Sequence, residues 1–461
     1  MTDEVRSHRK LVTLGLLALA AVPLATLLAT GKGDGATRTR STTIPQPPPS
    51  ALNARTRRRL APASRRVDLV APSFSSASVR ITNPLFPVSN LHSAILLGKL
   101  GGVPWRAETT LLPRTERVAW NGTRVRTLRS QFVAYRDGRI FEVAVDRYAQ
   151  ADDGSVWYFG EGAYTYERGR VSDTEGTWLA GKNGPPAMIM PAYPHVGDVY
   201  RTENIPGVVF EQVTVEKLGQ TLEGPTGPVR GAMIGRELHM DEVRLERKVF
   251  APGYGEFFSG GGTTFEATAL VVPIDAVRGY PPADLAAVFR SAIDVFGAAR
   301  GKHWAAAATG LARIRRSSAR LRAHRLPERL AAELGDALAG LGRAIRAHEA
   351  RGASGAALGV ASASLDLQLQ YRTVPEIDSA RLGVWTLRLS ADAGQRNRAA
   401  VSGDVATLGW IRDRVSFRPA DGRQIDELIT RLRTAAAAGR FTAVARTAAQ
   451  LRTRLRDVEL C

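Results

Sequence analysis

Seven histidines, one cysteine and scattered acidic pairs are the residues of this chain with metal, redox or acid–base chemistry to offer. His8, His92, His195, His239, His303, His324 and His348 include no H-E-x-x-H and no other tight metal-binding spacing. The sole cysteine, Cys461, allows neither an internal disulfide nor a cysteine-based metal site, and no C-x-x-C-H is present for covalent haem attachment of that type. His303 and His348 are the metal candidates, which a helical bundle could gather with Asp366 or Glu376; His348 is also read as a hydrogen-bonded core residue. Glu161 with Asp146 or Glu175 could supply the paired carboxylates of glycoside hydrolysis. Acidic residues on exposed strand faces are common, so no catalytic residue is assigned. G-x-S-x-G, P-loop and Rossmann patterns do not stand in a usable context, and Gly260-Gly261-Gly262 lacks the lysine that phosphate binding would want. A noncatalytic protein with no resident cofactor or metal is the expectation.

Aromatic residues offer a different chemistry. In Trp157-Tyr158-Phe159 the strand period points Trp157 and Phe159 one way and Tyr158 the other. One face is then core and Tyr158 covers a rim. Alternatively Trp157, Tyr158, Tyr164, Tyr166 and Trp178 line a groove for a glycan, peptide or lipid, and they are the candidate ligand-binding residues.

The elements that must position these residues read as α+β. From about 80 to 275, short β-rich runs alternate with turn signals, predicting an antiparallel β-sandwich or partly closed barrel. Phe141–Tyr148 and Val156–Phe159 flank Asp152-Asp153-Gly154-Ser155, and Asn121-Gly122, Asp137-Gly138, Arg168-Gly169 and Lys182-Asn183-Gly184 mark further turns. Asn121-Gly122-Thr123 matches a glycosylation sequon but reads better as a hairpin turn. From 281 to 461 the apolar period becomes helical, as in Leu285, Val288, Ala292 and Phe296, and in Leu330, Leu334, Leu338, Leu341, Ile345 and His348. An all-α bundle of antiparallel helices follows. Gly301-Lys302-His303-Trp304, Gly439-Arg440-Phe441-Thr442 and, more loosely, Gly394-Gln395-Arg396-Asn397 resemble one another and suggest stacked helical hairpins.

Leu11–Thr30 is an uncharged run of twenty residues, about 30 Å as a helix and long enough to cross a bilayer. Arg6, Arg9 and Lys10 precede it, in a tail, residues 1–10, read as cytoplasmic. Its length and its poor cleavage context favour an uncleaved single-pass anchor over a cleaved signal peptide or a buried core helix. Three basic residues on either side leave the orientation balanced, and the short tail before it favours an extracytoplasmic bulk. Residues 31–75, with Pro45, Pro47, Pro48 and Pro49 and the cluster Arg55 to Arg59, read as a disordered basic tether. The net charge of +19 is carried by 56 arginines among 63 basic residues. That bias, together with abundant Ala and Gly, is what GC-rich coding produces, so nucleic acid is not an expected partner.

Tyr148-Ala149-Gln150, Asp153-Gly154, Val156–Glu161, Ile189-Met190-Pro191, Val196–Arg201, Ala251–Gly255 and Asn83–Pro87 together resemble a family of uncharacterised exported bacterial β-rich domains, over about residues 82–260. The resemblance implies an extracytoplasmic β domain and no established activity. Leu91-His92-Ser93-Ala94 stands where such domains usually open with Gly-Thr-x-Trp. The combined expectation is a membrane-anchored protein of the bacterial cell envelope that binds or scaffolds an envelope polymer, anionic lipid or protein. The alternatives are metal or cofactor handling by the bundle, and an envelope hydrolase.

Overall fold

The computed structural model describes residues 41–239 and 244–460. Leu11–Thr30 lies outside them, and no helix of the described residues is long and apolar enough to cross a membrane. The chain is α+β: a large antiparallel sheet followed by a helical region.

Strands β1 (Ser93–Leu100), β2 (Val103–Leu111), β3 (Glu116–Trp120), β4 (Thr123–Arg136), β5 (Arg139–Gln150), β6 (Val156–Glu167) and β7 (Arg170–Asp173) form one meander. β8 (Trp178–Leu179) and β9 (Ala187–Met190) return to pair with β6. A second meander runs through β10 (Val199–Ile205), β11 (Val209–Gly224), β12 (Gly227–His239), β13 (Arg244–Ala251), β14 (Gly255–Gly261) and β15 (Thr264–Val272). β15 pairs with β1, joining both meanders into one sheet, while β9 lies between β6 and β10. Three of the turn signals close two-residue hairpins in which both loop residues have positive φ: Asn121-Gly122, Asp137-Gly138 and Arg168-Gly169. That twist matches the right-handed twist of the flanking strands.

Residues 41–75, read from composition as tether, run along the sheet. Ile44 donates to the Leu69 carbonyl, Arg66 bridges to Val199, and Ile44 and Leu52 are buried. Arg66 and Asp68 form a buried pair whose carboxylate also accepts from the Arg201 backbone at 3.0 Å. Composition missed this because the segment is held by isolated side chains and backbone bonds, which carry no apolar period.

Helices α1 (Ala283–Arg300), α2 (Trp304–Leu321), α3 (Glu328–Arg346), α4 (Ala350–Gln368), α5 (Val374–Gly394), α6 (Arg398–Arg414), α7 (Pro419–Ala437) and α8 (Phe441–Arg454) form two groups of four. In each group the first helix packs on the second and fourth, and the third on the fourth. In each group the connections from first to second helix and from third to fourth turn through three residues, the middle one left-handed: Lys302, His348, Arg396 and Gly439. The N–H groups of His303, Glu349, Asn397 and Arg440 each reach back five residues, at 2.9–3.1 Å, to Ala298, Ala344, Asp392 and Ala435. This is the Schellman closure of a helix end. The similar words in the sequence therefore report one turn type. Their glycines are not equivalent, since Gly439 is itself left-handed while Gly301 and Gly394 precede the left-handed residue.

The helices pack on the outer face of the sheet. Ile95, Leu270 and Val272 join the core of the first group, and Tyr135 stacks on Trp385 at 5.9 Å. Between the layers lies an ionic network. Arg106 donates to Glu108 (2.8 Å) and Asp366 (2.8 Å), Arg381 to Asp366 (2.6 Å) and Asp378 (2.8 Å), and Arg414 to Glu108 (2.6 Å) and Gln131 (2.6 Å). Burial opposes ionisation of Glu108, but Arg381, Arg106 and Arg414 hold its carboxyl well below the usual range.

Removing one partner strands a buried charge, at about 3–5 kcal/mol. Arg414→Ala should therefore lower the unfolding free energy measured in urea by that order. Arg320→Ala, which removes an exposed partner of Asp284, should leave it nearly unchanged. Equal, small effects from both would refute the importance of the buried network.

Candidate functional site

The inner face of the same strands surrounds a cavity of about 230 Å³. Period two assigns the faces: Arg106 and Glu108 of β2 point out to the helices, while Trp105 and Thr109 line the interior. On β5, Val143 packs outward with Tyr135, whereas Glu142, Ala144, Asp146 and Tyr148 face in. Part of the wall is apolar, including Phe86, Leu91, Phe132, Phe250 and Phe265. The rest is acidic. Among the described residues that line it, Glu142, Asp146, Glu203, Glu211, Glu237, Glu246, Glu256 and Glu266 stand beside the side-chain cations Lys99, His239 and Lys248.

Strand register assembles this wall. Glu203 of β10 stands opposite Glu211 of β11, and Glu211 opposite His239 of β12. Glu237, two residues before His239 and so on the same face, stands opposite Glu246 of β13. His239 Nδ1 contacts Glu211, while Nε2 lies 3.1 Å from Glu246 and 3.7 Å from Glu237. Lys248 Nζ is 3.5 Å from Glu237 and 3.1 Å from Glu256. Thr202 donates to Glu237 at 3.2 Å, Trp178 to Glu203 at 3.4 Å, and Ser259 to Glu246. Glu203 Oε2, Glu211 Oε2 and Glu237 Oε2 are buried without a hydrogen-bond partner.

Across the cavity, Asp146 pairs in register with Glu161, and Tyr148 with Tyr158. Between those pairs one residue on β5, Arg147, opposes two on β6, Phe159 and Gly160, a bulge in which Gly160 has φ 113°. A Cβ there would stand 2.2 Å from the Trp178 carbonyl. The extra residue puts Tyr158 and Glu161 on one face, and Tyr158 donates to Asp146 at 2.8 Å. Glu161 and Glu142 each keep one buried oxygen without a hydrogen-bond partner.

Packing so many carboxyls together opposes their ionisation. Burial, then Glu266 and Asp146, push Glu142 up to about 8. Burial and neighbouring carboxylates also raise Glu237 and Glu266 to about 7, and hold Glu161 and Glu203 well above the ordinary range. His239 goes the other way from most buried imidazoles: burial lowers it, but Glu211, Glu246 and Glu237 together outweigh that and the ring is pushed up to about 10.

The residues singled out from sequence are spread over three places. Trp157 and Phe159 alternate with Tyr158 along β6 and share one buried apolar cluster with it and with Trp178, where Phe159 meets Phe74 at 5.3 Å. Tyr158 lines the cavity, and Trp178 packs edge-on against it at 5.3 Å. Tyr164 and Tyr166 sit instead against Trp410 of α6, whose indole donates to Tyr166 at 2.8 Å. Glu175 lies in the turn between β7 and β8. His303 precedes α2 and His348 stacks on Trp304 at 4.8 Å, both exposed, while Asp366 serves the ionic network and Glu376 caps α5 at Thr373. Among the described residues, the histidine and acidic side chains whose donor atoms converge are Glu211, Glu237 and His239. Sequence reading passed over them, although a carboxylate within an apolar strand, as in Glu142-Val143-Ala144-Val145-Asp146, was a visible signal.

No protein-family model, curated protein or solved structure matches the chain.

The raised carboxyls fix a pH dependence. Between about 4.5, where these groups ionise in the unfolded chain, and about 8, the folded chain holds protons that the unfolded chain has lost. Folding then takes up protons, and stability falls as pH rises, by up to about 1.4 kcal/mol per pH unit for each proton. His239 adds the same sign from about 6.5 to about 10. The thermal midpoint of the full chain should fall from pH 5 to pH 9, and Glu142→Gln should flatten the slope. A midpoint that rose over that range would contradict the burial of these acids.

Proposed function

We propose that this is a noncatalytic binding protein of the bacterial cell envelope, anchored through Leu11–Thr30 with its bulk extracytoplasmic. Its sheet acts as a partly closed barrel that receives an amphiphilic cation. The observation that carries this reading is the acidic wall of the cavity, where eight Asp and Glu side chains outnumber three side-chain cations among the described lining residues. An isolated buried carboxylate is costly, and several here keep an oxygen without a hydrogen-bond partner. A ligand ammonium would satisfy them, and the phenylalanine wall would take its hydrocarbon part. Binding is favoured over chemistry because His239, the group best suited to proton transfer, has both ring nitrogens engaged by carboxylates. The arginine-rich helical half supports contact between the outer surface and an anionic envelope polymer or lipid.

Thermal unfolding of the full chain with hexylammonium, hexanoate or hexanol separates charge from hydrocarbon. Hexylammonium should raise the midpoint, hexanol less, and hexanoate not at all. Glu203→Gln with Glu237→Gln should abolish the ammonium advantage. Equal shifts from all three probes would defeat the reading.

A further inference from the structure

The acidic wall of the cavity has a more specific capacity than attracting positive charge. We infer that Glu211, Glu237 and His239, with Glu203 beside them, form a binding site for a first-row divalent transition-metal ion. One donor atom from each of the first three lies within 4.8 Å of the others. Two donors bound at about 2.1 Å to a tetrahedral ion stand roughly 3.4 Å apart. His239 Nε2 and Glu237 Oε2 are 3.7 Å apart, so small side-chain adjustments suffice for that pair. All of these side chains stand on strands, opposite one another or two residues apart, which holds them in place without a loop having to order.

A second observation points to a ligand independently of the clustering. Glu203 and Glu211 are each 1% exposed, and each presents to the cavity an oxygen that no donor satisfies. Glu237 Oε2 likewise accepts no hydrogen bond. Lys248 is the competing cation, and an ion at Glu237 would leave its ammonium 3.1 Å from Glu256. The donor set selects the class of ion. Binding would release the Nε2 proton of His239 to solvent and replace its contact with Glu246. One neutral imidazole with carboxylates then suits Zn²⁺, Mn²⁺ or Fe²⁺, whereas Mg²⁺ and Ca²⁺ prefer all-oxygen shells and Cu⁺ prefers sulfur. This site goes beyond the binding of an organic cation and uses the acidic wall alone.

Equilibrium dialysis of the chelator-stripped full chain against Zn²⁺ or Mn²⁺ provides the test. About one ion per chain should be retained, and excess Mg²⁺ should not displace it. His239→Ala and Glu211→Gln should each weaken retention by at least about tenfold, with circular dichroism confirming the fold. Glu203→Gln keeps the oxygen that accepts from Trp178 and serves if either variant fails to fold; it too should weaken retention. No bound ion, ready displacement by Mg²⁺, or unchanged retention in the folded variants would overturn the site. If zinc fails to bind while hexylammonium still stabilises the chain, the metal site falls and the organic-cation reading stands.

Discussion

Arg106, Arg381 and Arg414 lie with Glu108, Asp366 and Asp378 where the sheet meets the helices, and the rest of the structure depends on their agreement. Two of the six come from β2, three from α4 and α5, and one from the last residue of α6. Desolvating such groups costs several kcal/mol each, and mutual attraction repays it only when geometry and hydrogen bonding are both good. Here three arginines meet three carboxylates that accept at 2.6–2.8 Å, with Glu333 a further 3.8 Å partner of Arg106 at the edge. A shifted helix or a one-residue slip of β2 would separate them, so the network fixes the relative position of sheet and helices more narrowly than apolar packing alone does.

The two faces of the sheet thus follow different rules from the same period-two pattern. Outward charges on β2 find partners on helices distant in sequence. Inward carboxyls on β5, β10, β11, β12 and β13 mostly find one another. Glu203, Glu211, Glu237 and Glu246 come from four adjacent strands, so the wall follows from register, and one slipped strand would turn its acid out of the cavity. The bulge at Gly160 does the equivalent work on β6 by returning Glu161 to the inner face.

Much of the fold was legible in local chemistry. Asn121-Gly122, Asp137-Gly138 and Arg168-Gly169 announced hairpins because only certain residues tolerate two successive positive φ values. Leu285, Val288, Ala292 and Phe296 announced α1 because one stripe had to be buried. The pairing of Asp146 with Glu161 was within reach, since both flank one turn. The acidic wall was not. Its members are separated by long stretches of chain, and the β region as a whole is nearly neutral because outward arginines offset the inward acids in any summed charge. Four similar helix turns were only partly visible, since three of the left-handed residues are Lys302, His348 and Arg396, where a glycine would have been the obvious signal.

An interior with surplus carboxylate is not what stability alone would select. Repulsion among Glu142, Glu161, Glu203 and Glu266 pushes the inner face toward opening, most strongly where the pH favours their ionisation. The strands bearing part of this load cannot relax freely. The helices cover the backs of β15, β1, β2, β4, β5 and β6, clamped by the arginine network and by Trp385 and Trp410 on Tyr135, Tyr164 and Tyr166. Gly169 shows how close that contact is: a Cβ there would lie 2.1 Å from the Ala399 carbonyl of α6. Local destabilisation held by a well-packed surround is the pattern expected of a site kept ready for a ligand. The helical half thus braces from behind the strands that carry Glu142, Glu161 and Glu266, while β10 to β13 hold their acids by register.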